Sequence, residues 1–190
     1  MKKHTGLIIL GVVIIIVIVA IFSLSTTYNN FVELGENVKT KEAAIDVALE
    51  RRADLIPNLV STVKGYAAHE EEVIDNITSA RENLLKADDI EEKSAANNEL
   101  TSAISSLMVI VENYPDLKAN TNFINLQDEL AGTENRIAVA RKDYNDAAKT
   151  YNTAIKKFPG NIIANLFDFD DVDYFEVSTD KSAVPEVNFE

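Results

Sequence analysis

The chain of 190 residues has no cysteine and no tryptophan, and only six glycines and four prolines. Without cysteine it can form no disulfide, hold no metal by thiolate and use no cysteine nucleophile. Scarce glycine and proline, with modest aromatic content, argue against a turn-rich β-sandwich and for long helices. The two histidines are His4 and His69. There is no P-loop or G-x-G-x-x-G, so a nucleotide would lack its usual cradle. No serine sits in a nucleophile-elbow context. Positive charge is also short. Of a formal net charge of −13, the first 27 residues contribute +2, which leaves −15 for residues 28–190. Such a surface repels phosphate backbones, so no nucleic-acid partner is expected. It equally disfavours lying on anionic lipid.

What is present begins with an apolar run. Residues 1–6 form a short basic N-terminus, and residues 7–24 are apolar apart from Gly11 and Ser23. Eighteen residues at about 1.5 Å rise each reach across most of a hydrocarbon core. The run is apolar all round, unlike a buried core helix with its polar stripe. A cleavable signal peptide would want a shorter run and a small-residue cleavage site after it. The reading is a retained transmembrane signal anchor that binds the lipid bilayer. Lys2 and Lys3 flank it tightly, while the nearest cations beyond it are Lys39 and Lys41. The positive-inside rule then puts the N-terminus in the cytoplasm and the following domain outside.

From Tyr28 the pattern is amphipathic. Phe31, Val38, Ile45 and Arg52 recur every seven residues, with Leu34, Leu49 and Ile56 on the same face. Pro57 removes an amide donor, so a break is expected there. A second helix follows at once, from Leu59 to Leu84. Asp89 and Glu92 have the form of a capping box that starts a third, which Pro115 stops. Asn120 or Asn122 caps a fourth, in which Phe123, Leu130, Ile137, Tyr144, Tyr151 and Phe158 recur at seven residues. The fold class expected is all-α: one N-terminal transmembrane helix and an antiparallel four-helix bundle over residues 28–167. Ile162, Ile163, Leu166 and Phe167 supply a short helix that caps the bundle. Residues 168–190 read as an acidic, partly disordered tail.

Four blocks carry a family resemblance. The first is Arg51, Arg52, Asp54, Leu55, Ile56, Pro57 and Asn58. The others are Tyr114 with Pro115; Glu134 and Asn135 leading to Arg141, Tyr144 and Asn145; and Phe158 with Pro159. From about residue 28 to 176 the chain resembles the LemA family. The resemblance implies a bacterial single-pass membrane protein, an antiparallel four-helix bundle and no established enzymatic activity. Family members described with a short external N-terminus imply the orientation opposite to the charge argument. One departure is that a tryptophan often precedes the Ile45-Asp46 pair, where this chain reads Lys41-Glu42-Ala43-Ala44.

Five charged residues fall on bundle-facing positions: Arg52, Glu70, Arg81, Glu134 and Arg141. Either their long side chains reach solvent from the interface edge, or they form polar layers that fix register while adding little net stability. Inward carboxylates also raise a di-metal site, but that needs a Glu-x-x-His from each of two helices, and the domain has His69 alone. The aspartates from Asp168 to Asp173 lack the glycine and distal glutamate of an EF-hand loop. They read as a solvated acidic linker. In the repeated pairs Tyr144-Asn145 and Tyr151-Asn152 the ring packs, and the asparagine is free to form a polar strip for a partner. The functional expectation is a non-catalytic scaffold at the cell envelope, with membrane or envelope protein partners, self-association as a further partner reading, and no cofactor or metal. The alternative is a carboxylate-rich bundle that binds a metal or small ligand.

Overall fold

A computed structural model describes residues 2–67 and 69–176. It is all-α, with helices α1 (Lys2–Lys64), α2 (Glu71–Lys86), α3 (Ile90–Val111), α4 (Pro115–Lys118), α5 (Thr121–Lys156) and α6 (Gly160–Leu166). Among the described residues there is no strand. The chain divides into two compact units. The first holds residues up to Lys41 with Asp146–Val172, the second Glu42–Asn145 with residues from Asp173 on. Of the acidic, partly disordered tail expected over residues 168–190, residues 177–190 lie outside the described residues.

The first helix corrects the expected break. α1 runs through Pro57 without interruption. Proline at this position leaves the Ala53 carbonyl without its helical donor. The Arg81 Nε of α2 donates to that carbonyl at 2.8 Å. Ile45, Leu49, Ala53, Ile56, Leu59 and Val63 therefore form one buried stripe on both sides of the proline. α1 ends at Lys64 instead, and α2 begins at Glu71.

Other boundaries follow their local chemistry. Asp89 caps α3, accepting from the Glu92 amide at 2.8 Å. Glu92 returns its carboxylate to the Asp88 amide, one residue before the cap. Pro115 is the first residue of α4, where a missing amide costs nothing. The Asn120 side-chain oxygen Oδ1 accepts from the backbone amides of Asn122 and Phe123 at the start of α5.

In the second unit, Arg81 reaches Ala53 and Asn83 reaches Glu99. Lys93 reaches Glu42 and Asp46, and Arg52 reaches Asn97 and Glu134. The order of these contacts runs α1 alongside α3 and opposite to α2, as in an antiparallel four-helix bundle. The heptad residues Phe123, Leu130, Ile137, Tyr144 and Tyr151 of α5 are buried as expected, but Phe158 is 80% exposed. α5 ends at Lys156, so the helical period no longer places Phe158 on the stripe.

In the first unit, Phe31, Val38, Ile163 and Ala164 are buried. A Cβ on Gly160 would meet the Ala154 carbonyl oxygen at 2.7 Å and the Phe31 ring at 3.0 Å, so only glycine permits this approach of α6 to α1. The Tyr28 ring packs edge-on against Phe167 and Phe169, at 5.0 and 5.4 Å. One helix among the described residues, α1, is long and apolar enough to cross a membrane. An 18-residue window of it has mean hydropathy 2.7 and contains no buried residue.

Candidate functional site

Among the described residues the most heavily buried charge is Arg52, 3% exposed. It lies on the apolar face of α1, so its guanidinium must find partners inside the second unit. Its Nη1 donates to Asn97 Oδ1 at 2.5 Å and to Thr101 Oγ1 at 3.0 Å, both on α3. It also lies 2.7 Å from Glu134 Oε2 on α5. That last contact is an ion pair by distance but not an aligned hydrogen bond: Arg52 Nε and Glu134 Oε2 are buried without a directed partner. Burial pulls the guanidinium below its ordinary pKa, and Glu134 works against that. Ile104, Met108, Leu130 and Ala131 surround a hollow of about 330 Å³ beside Arg52 and Glu134.

The other charges of the predicted layer are placed differently. The half-buried Glu70 accepts from the Tyr114 hydroxyl at 2.7 Å. That bond raises the Tyr114 pKa. Arg81 serves the Ala53 carbonyl. Arg141 is half-buried and stands outside the Arg52 cluster. Thus two of the five, Arg52 and Glu134, meet directly. Among the motif residues, Leu55 and Ile56 are core, while Asp54, Pro57, Asn58 and Asn135 are exposed. Arg51 makes a surface pair with Glu129.

A second polar layer lies at the sequence departure before Ile45. Lys93, its side chain 12% exposed, bridges Glu42 at 3.0 Å and Asp46 at 2.8 Å. Burial opposes its charge, but hydrogen bonds to Asp46 and Glu42 prevail and raise its pKa.

The Tyr-Asn pairs hold the chain itself. In the second unit Tyr144 donates to the Asp173 carbonyl at 2.8 Å. The Asn145 amide bonds both the carbonyl and the amide of Phe175, at 3.1 and 2.9 Å. Ser94 Oγ donates to the Glu176 carbonyl. Phe175 is 2% exposed, so packed chain continues past the boundary expected at Phe167. In the first unit Asn152 makes the same two-bond pairing with Val172, at 2.8 and 2.9 Å. The asparagine strip thus recognises this chain's own backbone. Burial, helped by Glu42 and Asp173, pushes the Tyr144 phenol up to about 12.

Sequence reasoning missed Asn97, Thr101 and Ser94, and it gave Asn145 and Asn152 the wrong partner. Asn97 carried a usable signal, since it falls three residues before Leu100 on the stripe of α3. The chemistry these groups perform is internal. Glu134 faces Arg52, and Glu70 faces Tyr114, so the ligand-binding alternative gains no support from the inward carboxylates. His69 is exposed. Among the described residues no three His, Cys, Asp or Glu side chains gather as a metal site would require.

Residues 41–189 match the profile of the LemA family. Magnetosome protein MamQ 2 of Paramagnetospirillum magneticum is 30% identical over 186 residues, spanning 84% of this chain and 68% of the relative. Magnetosome protein MamQ of Magnetospirillum gryphiswaldense is 29% identical over 192 residues, 87% of this chain and 71% of the relative. Protein LemA of Metamycoplasma hominis is 26% identical over 151 residues, with 79% and 69% covered.

Proposed function

The chain belongs to the LemA family, and from that premise we propose that it is a membrane-anchored helical scaffold of the bacterial cell envelope with no catalytic activity of its own. The observation that carries this reading is the continuity of α1. One helix holds both the apolar window and the buried stripe from Ile45 to Val63. A span in the same helix as a buried core stripe ties the packed chain to the bilayer, which suits a platform for other proteins. Four of the five charges that sequence placed inside the domain, Arg52, Glu70, Arg81 and Glu134, are engaged in bonds within the chain.

In this reading residues 7–24 cross the bilayer, the N-terminus is cytoplasmic, and the helical domain presents its acidic surface outside. Partners are membrane or envelope proteins. Cross-linking from exposed domain positions in intact bacterial membranes, followed by identification of adducts, tests it. Recovery of the same envelope proteins from several positions supports the scaffold. Adducts to lipid and to the chain itself alone overturn it and leave self-association as the remaining reading.

A further inference from the structure

The proposed anchor leaves one apolar surface of the first unit without a protein cover. Phe158 is 80% exposed, Leu166 66%, Ile162 57% and Phe167 49%. Ile162 and Leu166 are four residues apart, so they share one face of α6. The opposite face, through Ile163 and Ala164, is buried.

The level of this surface along α1 is fixed at both ends of α6. At its start Gly160 lies against the Phe31 ring. Just past its end the Phe167 ring packs on Tyr28, centroids 5.0 Å apart. Tyr28 and Phe31 follow the last apolar residue of the run, Leu24, by four and seven residues. At 1.5 Å per residue that is about 6 and 10 Å along the helix. The headgroup layer beyond a hydrocarbon core is roughly 5–8 Å deep on each side. The end of α6 that carries Leu166 and Phe167 is therefore held at the depth where aromatic residues concentrate and where short amphipathic segments bury an apolar face, and its start lies a few ångströms farther out. The exposed Asp168, Asp170 and Asp171 follow directly, so attraction to anionic headgroups is not the driving force.

We propose that α6 with Phe158 and Phe167 is an interfacial foot: its exposed apolar face dips into the headgroup–acyl boundary of the same bilayer that α1 crosses. The partner is a zwitterionic lipid surface, engaged by apolar contact. A foot beside a single span restricts tilt and rotation of the domain that the span carries. The inference rests on the anchoring reading of α1, and its test separates the two.

The natural absence of tryptophan supplies the reporter. Single variants Leu166→Trp, Ile16→Trp and Val139→Trp of the full chain are reconstituted in phosphatidylcholine vesicles, with or without bromine on the upper acyl chain. All three positions are exposed, so each substitution leaves the packed face alone. Ile16→Trp reports the span, and Val139 is an exposed valine of the second unit. Bromine should reduce Leu166→Trp emission by about twofold or more, leave Val139→Trp unchanged and quench Ile16→Trp as well. Ile162→Trp should follow Leu166→Trp. Quenching at Ile16 with none at Leu166 and Ile162 overturns the foot and leaves the anchor standing. No quenching at Ile16 overturns the anchor. A blue-shifted but unquenched Leu166→Trp means that protein, such as a second copy, covers the face, which also overturns the lipid assignment.

Discussion

Arg52 shows how one charge can specify an arrangement without adding much stability. Its guanidinium joins α1 to Asn97 and Thr101 on α3 and to Glu134 on α5. Removing one member of a buried pair costs several kcal/mol, whereas an apolar replacement of similar volume costs far less. Arg52→Ala should lower stability by about 3 kcal/mol, through the void and the unpaired Asn97 and Glu134. Arg52→Met should recover more than half of that loss. Glu134→Gln keeps an oxygen beside Arg52 but removes the counter-charge of a guanidinium that is 4% exposed, so it should cost about 1–2 kcal/mol, less than Arg52→Ala because no void is left. Chemical denaturation of the full chain in detergent, followed by helical circular dichroism, ranks the three. Tyr144 gives a pH signature. Its pKa is raised from 10.0 to about 12, so folding favours the neutral phenol. The contribution is complete below pH 10.0 and is lost as pH rises toward about 12. Tyr144→Phe should lower neutral-pH stability by about 1 kcal/mol for the lost bond to Asp173, and flatten the alkaline decline. Thermal melts across that range, with ultraviolet titration of the phenolates, check both parts.

At the scale of elements, Pro57 and Arg81 form a compensating pair. The proline orphans the Ala53 carbonyl and the arginine of another helix satisfies it. Arg81→Ala should therefore cost about 1–2 kcal/mol, the price of a buried carbonyl without a partner. In a Pro57→Ala background the helix regains its own amide donor, and the same Arg81→Ala change should cost about 1 kcal/mol less. Equal costs in the two backgrounds would show that the bond to Ala53 contributes nothing. This pair also marks the limit of what sequence displays. Apolar spacing located α3 and α5, because period 3.6 is a local property of the chain, but the sequence reading puts the boundary between α1 and α2 at Pro57 instead of after Lys64. The spacing itself ran on past Pro57, from Ile56 to Leu59 and Val63, which was a sign that α1 continues. The rule that proline breaks a helix prevailed in the reading because the remedy sits on Arg81, 28 residues away. Side chain to backbone bonds between elements have no period. For the same reason Asn145 and Asn152 read as a strip for a partner, when their partner is the extended chain at Phe175 and Val172. Phe158 kept the heptad of α5 in sequence but lost it in space, since α5 stops at Lys156.

For the molecule as a whole, the question that follows from the proposed anchor is which side of the membrane receives the helical domain. The family relationship leaves both orientations open, so flanking cations must decide. Lys2 and Lys3 lie within five residues of the apolar run, and Lys39 and Lys41 lie 15 and 17 residues beyond Leu24. Cations count less as they recede from the span, so the N-terminal pair prevails although the numbers are equal. The −15 net charge of residues 28–190 does not enter, because acidic residues have little weight in this rule. A margin this narrow makes the orientation easy to change. Protease added to spheroplasts should digest the domain of the natural chain while a cytoplasmic marker survives. Lys2→Gln with Lys3→Gln should produce a protected fraction of full-length domain, and moving two lysines to positions 26 and 27 in that variant should enlarge it. Full protection in the natural chain would reverse the assignment and move the search for scaffold partners to the cytoplasm. The interfacial foot would survive that reversal, because its depth is set by Tyr28 and Phe31 relative to Leu24 and not by which face of the bilayer they meet.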